Sequence, residues 1–410
     1  MKTRKIENWI LSICLPVFFF YTVVFSSAAL ADTVRKEIRV GTHLPLSGIM
    51  ASIGKELRWS YEASVADINK TGGIYILEYD KKLPVRLVVM DDASDPSVVV
   101  TSVSKLINDE KVDFLLSGYT AVYGVIPGCI VAESNQIYYH AVASLIPPWQ
   151  AHHFGWSTLL FFDMEQSASM PFEIWNSLPK EKRPRRAALI MEDTYDGIAL
   201  SRLLHKKASE YGYKFILDTY IPLRGKNFTT QILKAKEMGV DAIFLFAPVA
   251  DSITFIRQMK EHHLSVNFLQ GWKGTWPAEF SKVLGKDAQG VLSDGHWSKS
   301  FPYTGARELG ERFYKVFGYD STVIGTYYAL SQILWQAIEK AGTINSAMVR
   351  SAVLKNEFNT TMGKINYDLK GVARYPSLTL QWRNGKQEII YPFEFATTKL
   401  QIPPVKDKVQ

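Results

Sequence analysis

The sequence predicts an α/β protein of two doubly wound, Rossmann-like lobes. Three observations support this fold class: short apolar strands alternate with amphipathic helices, the alternation breaks once, and it then restarts. Apolar strands separated by helices form parallel sheets that are covered on both faces. Two such stacks, with an irregular segment between them, predict two lobes rather than one long sheet.

The N-terminal segment is of a different kind. Basic residues precede an apolar run over residues 10–25, and the small residues Ala29 and Ala31 follow. This pattern is typical of a secretory signal peptide, so we expect residues 1–31 to be removed by cleavage before Asp32. An uncleaved membrane anchor is the alternative, but a run of about 16 apolar residues is short for a span.

The first stack alternates strands and helices. Its predicted strands are 37–43, 84–90, 112–116 and 137–140, and its predicted helices are 54–69, 97–108 and 123–133. The segment 141–185 breaks the rhythm, because five prolines lie within it. We therefore expect that segment to be irregular.

The second stack and the tail complete the chain. The second stack has predicted strands 187–191, 214–220, 242–246 and 267–269, and predicted helices 198–211, 228–238 and 252–262. In the tail we predict helices 305–317, 322–340 and 346–355 and strands 364–367, 377–382 and 388–391. Asn384-Gly385 predicts a hairpin turn, because both residues tolerate the positive φ angles of type I′.

Composition and charge exclude several function classes. The chain is 47% hydrophobic and 21% charged, with a net charge of +7, which are ordinary globular values. Basic residues are densest in residues 180–186, a proline-containing loop that favours a solvated surface over nucleic-acid binding. No nucleic-acid partner is expected.

The chain lacks the motifs of common enzyme classes. It has no G-x-S-x-G, H-E-x-x-H, P-loop or G-x-G-x-x-G pattern. The adjacent pairs His152-His153 and His262-His263 would point to different helix faces, so neither predicts a metal site. Cys129 follows an apolar pattern that favours a small buried residue over a nucleophile. We predict no catalysis, no cofactor and no metal.

Two lobes without catalytic motifs are typical of a binding protein, with its site at the strand ends. Asp91-Asp92 ends a predicted strand, and we expect a turn and a helix N-cap there, before Pro96. Open α/β sheets bind ligands in the loops after their strand C-termini. A two-lobed protein of this kind closes on a ligand that contacts both lobes.

Short motifs at the ends of the predicted elements carry a resemblance to a known family. They are Ile38-Arg39-Val40-Gly41 with Pro45-Leu46-Ser47-Gly48, Ala66-Asp67-Ile68-Asn69-Lys70-Thr71-Gly72-Gly73-Ile74, Asp91-Asp92-Ala93-Ser94-Asp95-Pro96, Glu192-Asp193-Thr194-Tyr195-Asp196-Gly197 and Gly325-Thr326-Tyr327-Tyr328-Ala329-Leu330. Over about residues 36–395 the chain resembles the leucine/isoleucine/valine-binding proteins of the type I periplasmic binding protein class. The resemblance implies a three-segment hinge between one lobe of residues 32–155 plus 290–342 and another of 156–289 plus 343–398.

The resemblance also implies which positions contact the ligand, and several depart from the family pattern. The family's ligand-gripping hydroxyls align with Val122 and Tyr123, and its second-lobe tyrosine aligns with Asp196. Trp272 lies in the loop where the family usually has an acidic residue for the ligand ammonium. The expected ligand-binding residues are Val122, Tyr123, Ala143, Ser144, Leu145, Tyr195, Asp196 and Trp272.

These departures bear on the ligand class. A buried ammonium without a carboxylate costs several kcal/mol, which argues against a zwitterionic amino acid, although Asp196 could supply the charge. The face of Trp272 suits a flat apolar or aromatic ligand, or a quaternary ammonium. If Trp272 is instead a core residue, it has no ligand role. We expect Trp272→Ala to weaken binding far more than folding.

The resemblance implies a function in uptake. It favours a monomeric extracytoplasmic solute-binding protein of a branched-chain-amino-acid-type ABC transporter, which passes a small organic ligand to a membrane permease. An aromatic or apolar carboxylate is expected rather than leucine, and the periplasm is the expected location. A ligand-sensing subunit of a chemoreceptor or regulatory system is the alternative. The sequence shows no attached membrane or signalling domain, which favours transport.

Overall fold

The computed structural model describes residues 35–143 and 146–402. The predicted signal peptide, residues 1–31, lies outside them. Within the described ranges, no helix is both long enough and apolar enough to cross a membrane.

A first sheet is built of parallel strands. In spatial order these strands are Val372–Tyr375, Ser157–Phe162, Tyr139–Val142, Phe114–Leu116, Ile38–Leu44 and Val85–Asp91. The first strand in the chain, Ile38–Leu44, has the second strand, Val85–Asp91, on one side. The third, fourth and fifth strands follow in order on its other side. This doubly wound order creates a switch point between Ile38–Leu44 and Phe114–Leu116, where such sheets bind ligands.

A second sheet repeats this order and adds an antiparallel hairpin. Its strands in spatial order are Lys386–Tyr391, Leu378–Arg383, Leu292–Gly295, Phe268–Gly271, Ala242–Phe246, Ala187–Glu192 and Phe215–Ile221. The hairpin turn has Asn384 at φ 49° and Gly385 at φ 77°, which confirms the turn predicted from this dipeptide. Two small antiparallel pairs, Ile74–Ile76 with Lys81–Leu83 and Phe358–Thr360 with Gly363–Ile365, lie outside both sheets.

Helices cover both faces of the two sheets. They are Ala51–Lys70, Pro96–Asn108, Ile126–Ser134, Ile146–Ala151, Met164–Ser177, Tyr195–Glu210, Thr229–Glu237, Val249–Glu261, Ala278–Leu284, Ala306–Phe317, Ile324–Ala341 and Ser346–Lys355. Local sequence fixes several starts: the side chain of Asp95 accepts a hydrogen bond from the backbone N–H of Ser97, with Pro96 at the first helical position. The N-cap is therefore Asp95, and the N-cap role predicted for Asp91-Asp92 was wrong.

The prediction that the chain's middle is irregular was wrong. The segment 141–185 contains the strand Ser157–Phe162 and the helix Met164–Ser177, with Pro171 inside that helix. A proline in a helix interior costs about 3 kcal/mol, but Phe172 and Trp175 on the same helix are almost fully buried and offset that cost. Burial of apolar side chains therefore outweighs the prolines on which the prediction of an irregular segment depended.

Strand pairing also differs from the expected lobe boundaries. Ser157–Phe162 and Val372–Tyr375, which the boundaries assign to the second lobe, pair with each other in the first sheet. A linear sequence marks where a strand lies but not which sheet edge it joins. The chain passes between the two sheets after Phe162, after Gly295 and after Tyr375, which agrees with a three-segment hinge.

Within the described ranges, apolar clusters fill the spaces between sheets and helices. Leu115 and its neighbours Phe114 and Leu116 belong to clusters on opposite faces of the first sheet. In the second sheet, Ile243 and Phe244 likewise belong to clusters on opposite faces. Both sheets are therefore covered on both sides, and their strand ends are the places left for a site.

Candidate functional site

A cavity of about 370 Å³ lies at the carboxyl ends of strands from both sheets. Tyr119, Thr120, Val142 and Ala143 reach it from the first sheet. Phe161 and Phe162 also come from the first sheet. Other walls are formed by the second sheet, its helices and loops, and the crossovers, with Asp163, Asp196, Phe246, Trp272, Lys273, Trp276, Asp294 and His296 among them. The cavity therefore occupies the position expected for a ligand that contacts both lobes.

Trp272 belongs both to the cavity wall and to the core. Its side chain is 2% exposed, stacks on Phe244 with ring centroids 5.9 Å apart, and donates from Nε1 to Ser167 Oγ at 3.3 Å. Truncating a tryptophan packed in this way costs about 3–5 kcal/mol of folding stability. The expectation that Trp272→Ala would act mainly on binding therefore does not fit this packing.

Asp294 joins the two tryptophans of the wall. Its Oδ1 accepts a hydrogen bond from Trp276 Nε1 at 2.6 Å, and its Oδ2 accepts one from Ser167 Oγ at 3.1 Å. Burial raises the pKa of Asp294 to about 8, and the two hydrogen bonds oppose that rise. Asp294 is thus largely protonated at neutral pH and holds Trp276 directly and Trp272 through Ser167.

A buried ion pair lies beside the cavity. Lys273 Nζ lies 2.6 Å from Glu192 Oε1, and these side chains are 11% and 1% exposed. Thr194 Oγ1 donates to the same carboxylate oxygen at 2.8 Å. Lys273 Nζ also lies 4.6 Å from the centre of the Phe246 ring. Because one member lines the cavity, the pair places charge close to any ligand.

Asp196 adds a second carboxyl group to this charged wall. It lies in the first turn of the helix Tyr195–Glu210 and is 5% exposed. Burial raises its pKa, the positive charge of Lys273 opposes that rise, and the negative charge of Glu192 adds to it.

His296 lies on the crossover that follows Leu292–Gly295. Its ring meets the rings of Phe161, Phe162 and Trp276 edge-on, at centroid distances of 5.3, 4.7 and 4.4 Å. Its Nδ1 lies 3.2 Å from the Tyr375 hydroxyl. Burial lowers the pKa of His296 to about 3, so the imidazole is neutral at physiological pH.

The first-sheet loop that reaches the cavity is held by tyrosine hydroxyls, one of which contacts a buried His43–Asp92 pair. The Gly118 N–H donates to the Tyr139 hydroxyl at 2.9 Å, and the Tyr327 hydroxyl donates to the Gly118 carbonyl at 3.3 Å. The Tyr139 hydroxyl lies 2.8 Å from His43 Nε2, and His43 Nδ1 lies 2.9 Å from Asp92. A Cβ at residue 118 would lie 2.1 Å from the His43 ring, so only glycine fits.

The structure brings together some of the predicted ligand-binding residues. Ala143, Tyr195, Asp196 and Trp272 line the cavity, whereas Ser144 and Leu145 lie outside the described residues. Val122 and Tyr123 lie in a π-helical turn, Ala121–Val125, and Tyr123 is not among the described lining residues. Tyr119 and Thr120, which precede that turn, line the cavity.

Sequence reasoning missed several residues of the cavity. Lys273 follows the predicted Trp272 directly, so the strand-end rule could have identified it. Asp294 lies in the strand Leu292–Gly295, and His296 follows that strand on a crossover. No local pattern marks such residues as cavity-lining.

Other candidate groups lie elsewhere. Cys129 is a free, buried thiol, and burial raises its pKa to about 12. Asp91 makes the predicted turn by accepting hydrogen bonds from the backbone of Leu46, Ser47 and Ala93. Within residues 35–143 and 146–402, no group of three His, Cys, Asp or Glu side chains could hold a metal ion.

Comparison with known proteins gives consistent similarities. A family model described as periplasmic binding protein matches residues 37–386. A Leu/Ile/Val-binding protein homolog 2 from Brucella abortus is 26% identical over 362 residues, covering 87% of this chain and 94% of the relative. A Leu/Ile/Val-binding protein homolog 1 from Brucella suis is 26% identical over 379 residues, covering 88% and 96%.

Solved structures share the fold at low identity. A leucine-binding protein from Thermotoga maritima matches with a TM-score of 0.73 and 18% identity, covering 86% of this chain and 97% of that one. A branched-chain amino acid transporter substrate-binding protein from Streptococcus pneumoniae, in complex with isoleucine, matches with a TM-score of 0.75 and 16% identity. That match covers 87% of this chain and 99% of the other. An ABC-transporter solute-binding protein from Rhodopseudomonas palustris, in complex with 3,4-dihydroxybenzoic acid, matches with a TM-score of 0.69 and 17% identity. That match covers 86% of this chain and 95% of the other.

Proposed function

The chain belongs to the periplasmic binding protein family, and from that premise we propose that it is the solute-binding protein of an ABC uptake transporter of the branched-chain-amino-acid type. It captures a small organic ligand without catalysis and passes it, as a monomer in the periplasm, to a membrane permease. The relatives that are Leu/Ile/Val-binding protein homologs support this assignment.

One observation carries the proposal: a single cavity is walled by strand ends of both sheets. A ligand held there contacts both halves of the molecule, so its binding free energy favours the closed arrangement. The ligand-bound, closed protein then differs in shape from the free protein, and a permease can recognise that difference.

We propose an aromatic or apolar carboxylate, rather than leucine, as the ligand. The side chains of Phe161, Phe246 and Trp272 supply flat apolar walls, and Lys273 and Arg374 supply positive charge for a carboxylate. Trp272 also occupies the loop where the resembling family usually has the acid that binds the ligand ammonium. The likeness in fold to a protein solved with 3,4-dihydroxybenzoic acid is compatible with this ligand class.

A thermal-shift screen of residues 32–410 tests the proposal. The panel contains leucine, isoleucine, valine, benzoate, 4-hydroxybenzoate, short amides and quaternary amines. A compound at 100 times its dissociation constant adds about 2.7 kcal/mol to the free energy of unfolding. We expect benzoates to raise the melting temperature and leucine to leave it unchanged. A shift with leucine alone would contradict the ligand class, and no shift with any compound would contradict the binding role.

A further inference from the structure

Three of the described residues that line the cavity each carry a buried polar atom without a hydrogen-bond partner. Thr120 Oγ1, Asp196 Oδ1 and His296 Nε2 are shielded from solvent, and none has a partner among the described residues. They come from the first-sheet loop, from a second-sheet helix and from a crossover. Buried polar atoms are almost always paired, so unpaired ones on side chains that line a cavity indicate where a ligand could supply the partner after a small side-chain rotation.

Asp196 is the most costly of these groups. A buried carboxyl oxygen without a partner loses its hydration and gains nothing in return, which is destabilising. The nearby Lys273 is already bound to Glu192 at 2.6 Å. An ionised carboxylate only accepts hydrogen bonds. The group that satisfies an ionised Asp196 is therefore a donor.

His296 supplies a different kind of contact. Its neutral ring is enclosed by aromatic edges, and one nitrogen already meets the Tyr375 hydroxyl. The other nitrogen donates or accepts, depending on the tautomer. In an otherwise apolar enclosure, it can recognise a polar substituent on the ligand.

We propose that Asp196 and His296 are specificity-determining residues, and that the ligand carries a hydrogen-bond donor for Asp196 and a second polar group for His296. The ligand is then a polar-substituted aromatic compound rather than a plain hydrocarbon acid. This inference rests on the proposed function, because it concerns the ligand of the same cavity. Two donors share the required chemistry, a hydroxyl and an ammonium, and variants of Asp196 distinguish them.

Matched ligand pairs test the inference by isothermal titration of residues 32–410. The hydroxyl pair is 4-hydroxybenzoate against benzoate, and the ammonium pair is phenylalanine against 3-phenylpropionate. The wild type should prefer the donor-bearing member of at least one pair by about tenfold, the usual effect of a hydrogen bond to a charged group. Asp196→Ala should abolish that preference. Asp196→Asn should abolish an ammonium preference but keep most of a hydroxyl preference, because its amide oxygen still accepts.

Stability measurements separate recognition from a structural role. Removing an unpaired buried carboxyl should leave the melting temperature of Asp196→Ala unchanged or raised, while the ligand preference disappears. His296→Phe keeps the aromatic enclosure and should weaken the tightest ligand by about tenfold. The exposed residues Asp193 and His152 lie outside the cavity, so Asp193→Asn and His152→Phe are matched controls.

The outcomes distinguish this inference from the proposed function. If benzoates bind but neither pair shows a preference above about twofold, the inference is overturned and the proposed function stands. A preference that survives in Asp196→Ala, or unchanged binding by His296→Phe, overturns the role of that residue. If no compound of either pair binds the wild type, the proposed ligand class fails and the inference fails with it.

Discussion

The two sides of the cavity are built from different chemistry. On the first-sheet side, the backbone of Ser117 and Gly118 is held by the hydroxyls of Tyr61, Tyr139 and Tyr327. On the second-sheet side, ionisable groups line or adjoin the cavity: Glu192, Asp196, Lys273 and Asp294. Neutral hydrogen bonds fix a shape at modest cost, whereas buried charges are costly unless they are paired. The first sheet also contributes Arg374 to the cavity, but that side chain is 44% exposed. We infer that the first side mainly sets the shape of the cavity and that the buried groups of the second side select the ligand.

The largest expected effect sharpens this comparison through pH. The pKa of Asp294 is about 8, far above its ordinary value of 3.8. Since the folded state binds the proton more tightly, this group's stabilisation is present at low pH and is lost as pH rises from about 4 to 8. A shift of this size corresponds to a loss on the order of 5 kcal/mol.

Asp294→Asn removes that dependence, because the amide stays neutral. Denaturant unfolding between pH 5 and pH 9 should show the variant gaining stability relative to wild type as pH rises. A difference that is constant with pH would mean that Asp294 is not protonated in the folded protein. Asp193→Asn, at an exposed position, is the control.

Breaking the ion pair should have the next largest effect. Lys273→Met leaves Glu192, which is 1% exposed, without its partner, and should cost about 3 kcal/mol of unfolding free energy. Adding Glu192→Gln should recover much of that loss, because the remaining buried group is then uncharged. Chemical denaturation measures both variants, with the exposed Lys286→Met as control. An equal loss in the single and double variants would show that packing, not charge, matters there.

The smallest expected effect lies on the first-sheet side. Tyr139→Phe removes the hydroxyl that accepts from the Gly118 N–H and meets His43, and should cost about 1–2 kcal/mol of stability. Titration with 4-hydroxybenzoate and benzoate should still show the wild-type ratio of affinities, because this side sets shape only. A changed ratio would contradict the division of labour between the two sides. Tyr220→Phe, at an exposed tyrosine, is the control.

Local pattern was enough to predict most of the elements but not their partners. The strand predicted at 242–246 is the observed Ala242–Phe246. A short apolar run between two helices forms a strand of a parallel sheet that is buried on both faces. The sheet to which Ser157–Phe162 belongs was not predictable, since strand pairing depends on contacts distant in sequence. For the same reason Asp196 was found from a motif, whereas His296, on a crossover, had no local signal.

A crystal structure with the compound of largest thermal shift tests the central claim most directly. We expect the ligand between Trp272, Phe246 and His296, with a donor atom about 3 Å from Asp196 Oδ1. A ligand bound elsewhere, or one in this cavity that places only apolar atoms against Asp196 and His296, would contradict the claim that the second-sheet side selects the ligand.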